Sequence, residues 1–144
     1  MPEGRAKRDS YMSRKILIVE DNEDSRELVA KVLKNKGYVI IEAVDGEEAI
    51  QKVISEKPDL VLLDISIPKV DGYEVAKRLK SRDDVKDIPI VAVTAHAMKG
   101  DREKVIASGF EGYISKPVNV RELPDQVRSY LRGKWESVIG GEEE

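Results

Sequence analysis

Leu60-Val61-Leu62-Leu63-Asp64 is a run of four apolar residues closed by a carboxylate, and Ile65-Ser66-Ile67-Pro68 follows it. The run reads as a buried strand, so Asp64 stands where that strand runs out into a loop. Two more acids, Glu20 and Asp21, end the earlier run Ile16-Leu17-Ile18-Val19, and two later runs end in Thr94 and in Lys116-Pro117. In an open parallel α/β sheet the ligand crevice lies beyond the carboxyl ends of the strands. These residues are therefore expected to converge on one small site holding three carboxylates, a hydroxyl and an ammonium.

The rest of the chain supports such a sheet. Ile16–Val19, Val39–Ala43, Leu60–Leu63, Ile88–Val93 and Tyr113–Ile114 read as strands, rich in Val and Ile and bounded by Gly, Pro or Asp. Between them, Leu28, Val29, Val32 and Leu33 form one apolar helical stripe that Gly37 is placed to end. Ala49, Ile50, Val53 and Ile54 repeat the spacing, as do Val75, Ala76 and Leu79 after the Asp71-Gly72 turn. Val105, Ile106 and Phe110 form a fourth stripe, and Leu123, Val127, Tyr130 and Leu131 a fifth. Pro124 is too deep for the first turn of a helix capped by Asn119, so that last helix is expected to start irregularly and to propagate from about Leu123. Strands alternating with helices imply a doubly wound, five-stranded parallel sheet, because parallel neighbours need helical crossovers.

At 144 residues the chain fits one domain, expected over residues 15–132, with flexible tails at 1–14 and 133–144, the second acidic. The absence of cysteine excludes disulfides and thiolate chemistry, and a single histidine excludes a multi-histidine metal site within the chain. No apolar stretch approaches the roughly 18 residues of a membrane span, so a cytoplasmic protein is expected. Charged residues make up 37% of the chain but the net charge is −3, so no global field favours nucleic acid, and no basic recognition helix follows Arg132.

A hard divalent cation such as Mg²⁺, or Mn²⁺ in its place, takes oxygen ligands and is commonly held by one or two carboxylates, waters and a phosphate. Asp21 and Asp64 suit direct contact. Glu20 suits contact through a water, and the backbone carbonyl of Ser66, two residues past Asp64, could complete the shell. A carboxylate can also act as a nucleophile toward a phosphoryl group, and Asp64 is the candidate. Such transfer needs charge neutralisation and positioning above all, which a metal, the Lys116 ammonium and the Thr94 hydroxyl could supply.

The set Glu20-Asp21, Asp64, Thr94-Ala95 and Lys116-Pro117 resembles the receiver domain of two-component response regulators, over about Lys15 to Arg132. Ile18 through Asn22, Pro68 through Gly72, Val93 through Asp101 and Gly112 through Pro117 are similar to single-domain DivK-type regulators and to the receivers of hybrid histidine kinases. The resemblance implies a flavodoxin-like (βα)5 receiver fold. It implies that Asp64 accepts a phosphoryl group from a histidine of a sensor histidine kinase or phosphotransfer protein, in a Mg²⁺-dependent reaction. It further implies that Tyr113 moves inward when Thr94 is drawn to the phosphate, that Lys116–Pro117 is cis, and that a protein effector is bound downstream. The resemblance also implies that His96, the single histidine, stands where a side chain can influence water reaching the phosphate.

The expectation is therefore a phosphoacceptor switch and not a turnover enzyme. Its alternatives are a receiver excised from a hybrid kinase and a scaffold receiver that is never phosphorylated. A phosphohydrolase with an aspartate nucleophile is disfavoured, since Ser66 supplies no second catalytic acid at that position.

Overall fold

The computed structural model describes residues 14–95 and 99–139. Five strands alternate with five helices: β1 (Lys15–Val19), α1 (Glu23–Lys34), β2 (Val39–Ala43), α2 (Gly46–Glu56), β3 (Leu60–Asp64), α3 (Gly72–Lys80), β4 (Ile90–Thr94), α4 (Lys99–Ala107), β5 (Gly112–Ser115) and α5 (Leu123–Ile139). The strands form one sheet, parallel throughout, in the order β2-β1-β3-β4-β5. After β1 the chain steps to one side for β2 and then crosses to the other for β3. That reversal of strand order opens the crevice between the carboxyl ends of β1 and β3.

Alternation along the strands builds two cores from one sheet. Leu17, Val19, Val61 and Leu63 point to the face covered by Ala49 and Val53 of α2, Val75 and Leu79 of α3, and Val105 of α4. Ile16, Ile18, Leu60 and Leu62 point to the opposite face, against Ala30 and Leu33 of α1 and Leu123, Val127 and Leu131 of α5. The central strands must be apolar at every position because both faces are covered, and β3 is buried from end to end.

Three helices start on side-chain caps. Asn22 accepts from the Ser25 amide, Asp45 from the Glu48 amide and Asp71 from the Glu74 amide, at 2.8 to 3.0 Å. Glu48 also reaches back to the Val44 amide at 2.9 Å. The Asp71-Gly72 pair is thus the start of α3 as well as a turn. Gly46 and Gly72 have no room for a side chain: a Cβ would overlap the Val70 carbonyl oxygen at the first and lie 2.7 Å from the Ile65 Cα at the second.

Element ends differ from expectation for local reasons. β4 begins at Ile90 because Pro89 has no N–H to give the ladder, although its carbonyl still accepts from Val61 at 3.0 Å. Asp64 and Thr94 are the last residues of their strands, paired with Val93 and Ser115. Asn119 accepts from the Arg121 and Glu122 amides through its side chain and from Leu123 through its carbonyl. The helix proper begins at Leu123, so Pro124 falls in a first turn where its missing N–H costs nothing. α5 runs on to Ile139, which puts the expected boundary at Arg132 inside a helix. Residues 1–13 and 140–144, where most of the expected N-terminal tail and the end of the acidic one fall, lie outside the described residues. Among the described residues no helix is long and apolar enough to cross a membrane.

Candidate functional site

The carboxyl ends of β1, β3, β4 and β5 bring Glu20, Asp64, Thr94 and Lys116 to one crevice. Glu20, Asp64 and Thr94 are the buried polar side chains among the described residues, at 7%, 5% and 6% exposure. A buried carboxylate is costly unless paired, and here the partner is shared: Lys116 Nζ lies 2.8 Å from Glu20 Oε1 and 2.8 Å from Asp64 Oδ2. The second oxygens are held by backbone. The Asn22 amide donates to Glu20 Oε2 at 3.0 Å and the Ser66 amide to Asp64 Oδ1 at 2.9 Å.

Both ends of this ion-paired cluster are shifted. Burial pushes the Glu20 carboxyl above its ordinary range, and the nearby Asp64 charge adds to that, against the Lys116 and Asn22 hydrogen bonds. Burial would depress the Lys116 ammonium, but its hydrogen bonds to Asp64 and Glu20 outweigh it and hold the group above its ordinary value. Lys116 is therefore a cation at any physiological pH.

Asp21 follows Glu20 and is exposed, yet Glu20, Asp21 and Asp64 each offer one carboxylate oxygen within 4.8 Å of the others. Hard oxygen donors from three acids, without sulfur or imidazole, match the preference of Mg²⁺ or Mn²⁺. Ser66 is exposed on the loop beyond Asp64, where the same turn that delivers its amide to Asp64 brings it beside the acids.

Thr94 is tied to the lysine through the main chain, its carbonyl accepting from the Lys116 amide at 2.8 Å. The Lys116–Pro117 bond is cis. Tyr113 lies half-buried on β5 against the α2, α3 and α4 side of the core, with the Arg102 guanidinium 5.2 Å from its ring centre. His96 lies outside the described residues.

One neighbour of the site was not legible as such. Arg26, on α1, donates from Nη1 to the Glu20 carbonyl at 2.9 Å and from Nε to Glu42 Oε1 at 2.8 Å. In sequence Arg26 is one charge in an acidic first turn, and Glu42 is an acid interrupting an apolar strand. Their pairing becomes visible once β2 is known to lie beside β1. A narrow, mostly apolar cavity of about 180 Å³ runs beneath Glu20 and Lys116, between Leu28 and Val29 of α1 and Pro117 and Val118; Asp64 is not in its wall.

Comparison with known proteins agrees with this geometry. Residues 16–128 match the family described as response regulator receiver domain. The polar-differentiation response regulator DivK of Brucella anthropi is 43% identical over 120 residues, covering 83% of this chain and 98% of that one, and its Brucella ovis counterpart is 42% identical with the same coverage. Among solved structures, a response regulator from Chloroflexus aurantiacus superimposes with a TM-score of 0.79 at 31% identity, covering 83% of this chain and 98% of that one. The receiver domain of the sensor histidine kinase PA1611 of Pseudomonas aeruginosa, whose crystal structure has a magnesium ion coordinated in the active site cleft, gives 0.77 at 29% identity with the same coverage. The match across residues 16–128, and relatives covered almost end to end, lead to one conclusion: the chain belongs to the response regulator receiver domain family of two-component signalling.

Proposed function

We propose that the chain works as a single-domain response regulator, a Mg²⁺-dependent phosphoacceptor switch that changes its affinity for a protein partner when Asp64 is phosphorylated. The observation that carries the reading is the Asp64 carboxylate, 5% exposed, with the Lys116 ammonium at 2.8 Å and two further acids offering oxygens within 4.8 Å. The donor is a phosphohistidine of a sensor histidine kinase or phosphotransfer protein. An Asp64 carboxylate oxygen forms a bond to phosphorus as the phosphorus–nitrogen bond breaks, and the imidazole nitrogen keeps the electron pair. Asp21 and Asp64, with Glu20 in support, would hold Mg²⁺, which would neutralise the phosphoryl oxygens.

Lys116 remains protonated and turns its ammonium from the carboxylates to a phosphoryl oxygen. The Thr94 hydroxyl donates to another, and Tyr113 on β5 follows as the downstream indicator. A protein effector then recognises the changed surface, without direct nucleic-acid contact. In this reading Asp64 is a modified residue and not a turnover centre: the phosphoryl group it accepts is the signal itself.

A receiver belonging to a larger kinase is the second reading, favoured by the likeness to receivers of sensor histidine kinases from Pseudomonas aeruginosa and Syntrophus aciditrophicus at 29% and 30% identity. The 43% identity to DivK, which the chain spans almost completely, supports the first.

The deciding experiment is phosphoryl incorporation from acetyl phosphate or phosphoramidate, followed by intact-protein mass spectrometry. The expected result is a gain of one phosphoryl group with Mg²⁺, none with EDTA, and none in Asp64→Ala. Equal labelling of Asp64→Ala, or no labelling of the wild type from these donors and from a phosphohistidine protein alike, overturns the proposal.

A further inference from the structure

We infer that Arg26 is a positioning residue for the divalent-cation site, acting through the backbone it holds and not through its charge. This rests on the reading of the acidic cluster as a cation site.

Glu20 and Asp21 leave the sheet at the end of β1, and the direction of their carboxylates depends on how the main chain turns there. That turn is held on both sides. The Glu20 amide donates to the Ala43 carbonyl at 3.0 Å, the last tie to β2. The Glu20 carbonyl accepts from Arg26 Nη1 at 2.9 Å. Arg26 is fixed by its second bond, from Nε to Glu42 Oε1 at 2.8 Å, and its side chain is 15% exposed. Glu42 is itself anchored, since its carbonyl accepts from Lys52. One rigid guanidinium thus spans two acceptors, the carbonyl that precedes Asp21 and a carboxylate on the neighbouring strand. Its fork geometry allows this; a lysine ammonium, a point charge on a flexible stem, does not reproduce it.

Arg26 touches no carboxylate of the cluster: its acceptors are the Glu20 carbonyl and Glu42. Geometry and charge therefore make opposite demands. If Arg26 acted as a nearby cation alone, removing it would strengthen cation binding, because it opposes Mg²⁺ electrostatically. If it orients the Glu20–Asp21 peptide, removing it weakens binding, and restoring the charge without the fork does not rescue it. Partners that orient metal ligands in this indirect way are typically worth roughly 10- to 100-fold in affinity.

The test is binding of Mn²⁺, followed by electron paramagnetic resonance, and of Mg²⁺, by calorimetry, to wild type, Arg26→Ala and Arg26→Lys, with thermal melts as a check on folding. The expected result is Kd raised about ten-fold in both variants. Unchanged or tightened binding in Arg26→Ala, or wild-type affinity in Arg26→Lys, overturns the inference. If Arg26→Ala melts too low to assay, Arg26→Lys alone decides. A wild type that binds neither ion overturns the parent reading as well, which separates that failure from this one.

Discussion

Lys116 neutralises two buried carboxylates at the ends of different strands. Lys116→Ala leaves Glu20 and Asp64 facing each other in a poorly solvated crevice. It is expected to lower stability at pH 7 by about 2 kcal/mol, below the figure for fully buried pairs because the lysine side chain is 27% exposed. The pH dependence has a definite sign. The folded pKa of Glu20 is raised, so protonation favours the folded state and ionisation costs stability as pH climbs above 4.5. Loss of Lys116 removes an opposing influence and enlarges that cost. Urea unfolding should therefore show the variant's deficit largest near pH 8 and shrinking toward pH 5. Lys116 itself, with its folded value raised, contributes stability that is complete below 10.5 and disappears only as pH rises through the higher folded value. At this scale the ends of the apolar runs marked where the acids, the hydroxyl and the ammonium stand, and the fold brings those positions together. The sequence was silent on Arg26, whose partners are the Glu20 carbonyl just past β1 and Glu42 on β2.

The strands and helices explain which contacts a local pattern can and cannot reveal. The apolar stripes located all five helices, but element ends were decided by single groups: the missing amide of Pro89, the Asn119 turn ahead of Leu123, and the Asp45 and Asp71 caps. Close approaches between elements were invisible in the sequence. Nothing in the sequence marks Gly46, yet its Cβ position is taken by the Val70 carbonyl of the loop that follows Asp64. Gly46→Ala must therefore displace backbone, and chemical denaturation should show a loss of about 1–3 kcal/mol. The cap of the same helix provides a milder comparison. The Val44 amide, then Lys52, hold Glu48 below the usual carboxylate range, so its contribution is present above pH 4.5 and lost as pH falls through the depressed value. Glu48→Ala should cost about 0.5–1 kcal/mol at pH 7 in thermal melts, with the gap narrowing toward pH 3.

For the molecule as a whole, topology concentrates charge where the parallel strands end. The acids of the crevice are balanced in part by Lys116, and a divalent cation bound among them would complete the neutralisation. Because a ligand that binds the folded chain alone stabilises it by mass action, Mg²⁺ at ten times its Kd should raise stability by about 1.4 kcal/mol. Parallel melts of wild type and Asp64→Ala, with and without Mg²⁺, check this: an equal shift in both would place the ion elsewhere. The five-strand parallel architecture was readable because both faces of the sheet are covered, which forces uninterrupted apolar strands. The pairing order was fixed by packing between distant segments, and no window of sequence contains it.

The lysine joins residues 96 and 52 positions away along the chain. Neither half of the protein can present the constellation by itself. A chain divided between α3 and β4 would yield one fragment with every acid of the crevice and another with its threonine and lysine. Cation-dependent labelling of Asp64 would then return only when the fragments reassemble, which makes the site a chemical reporter of complementation.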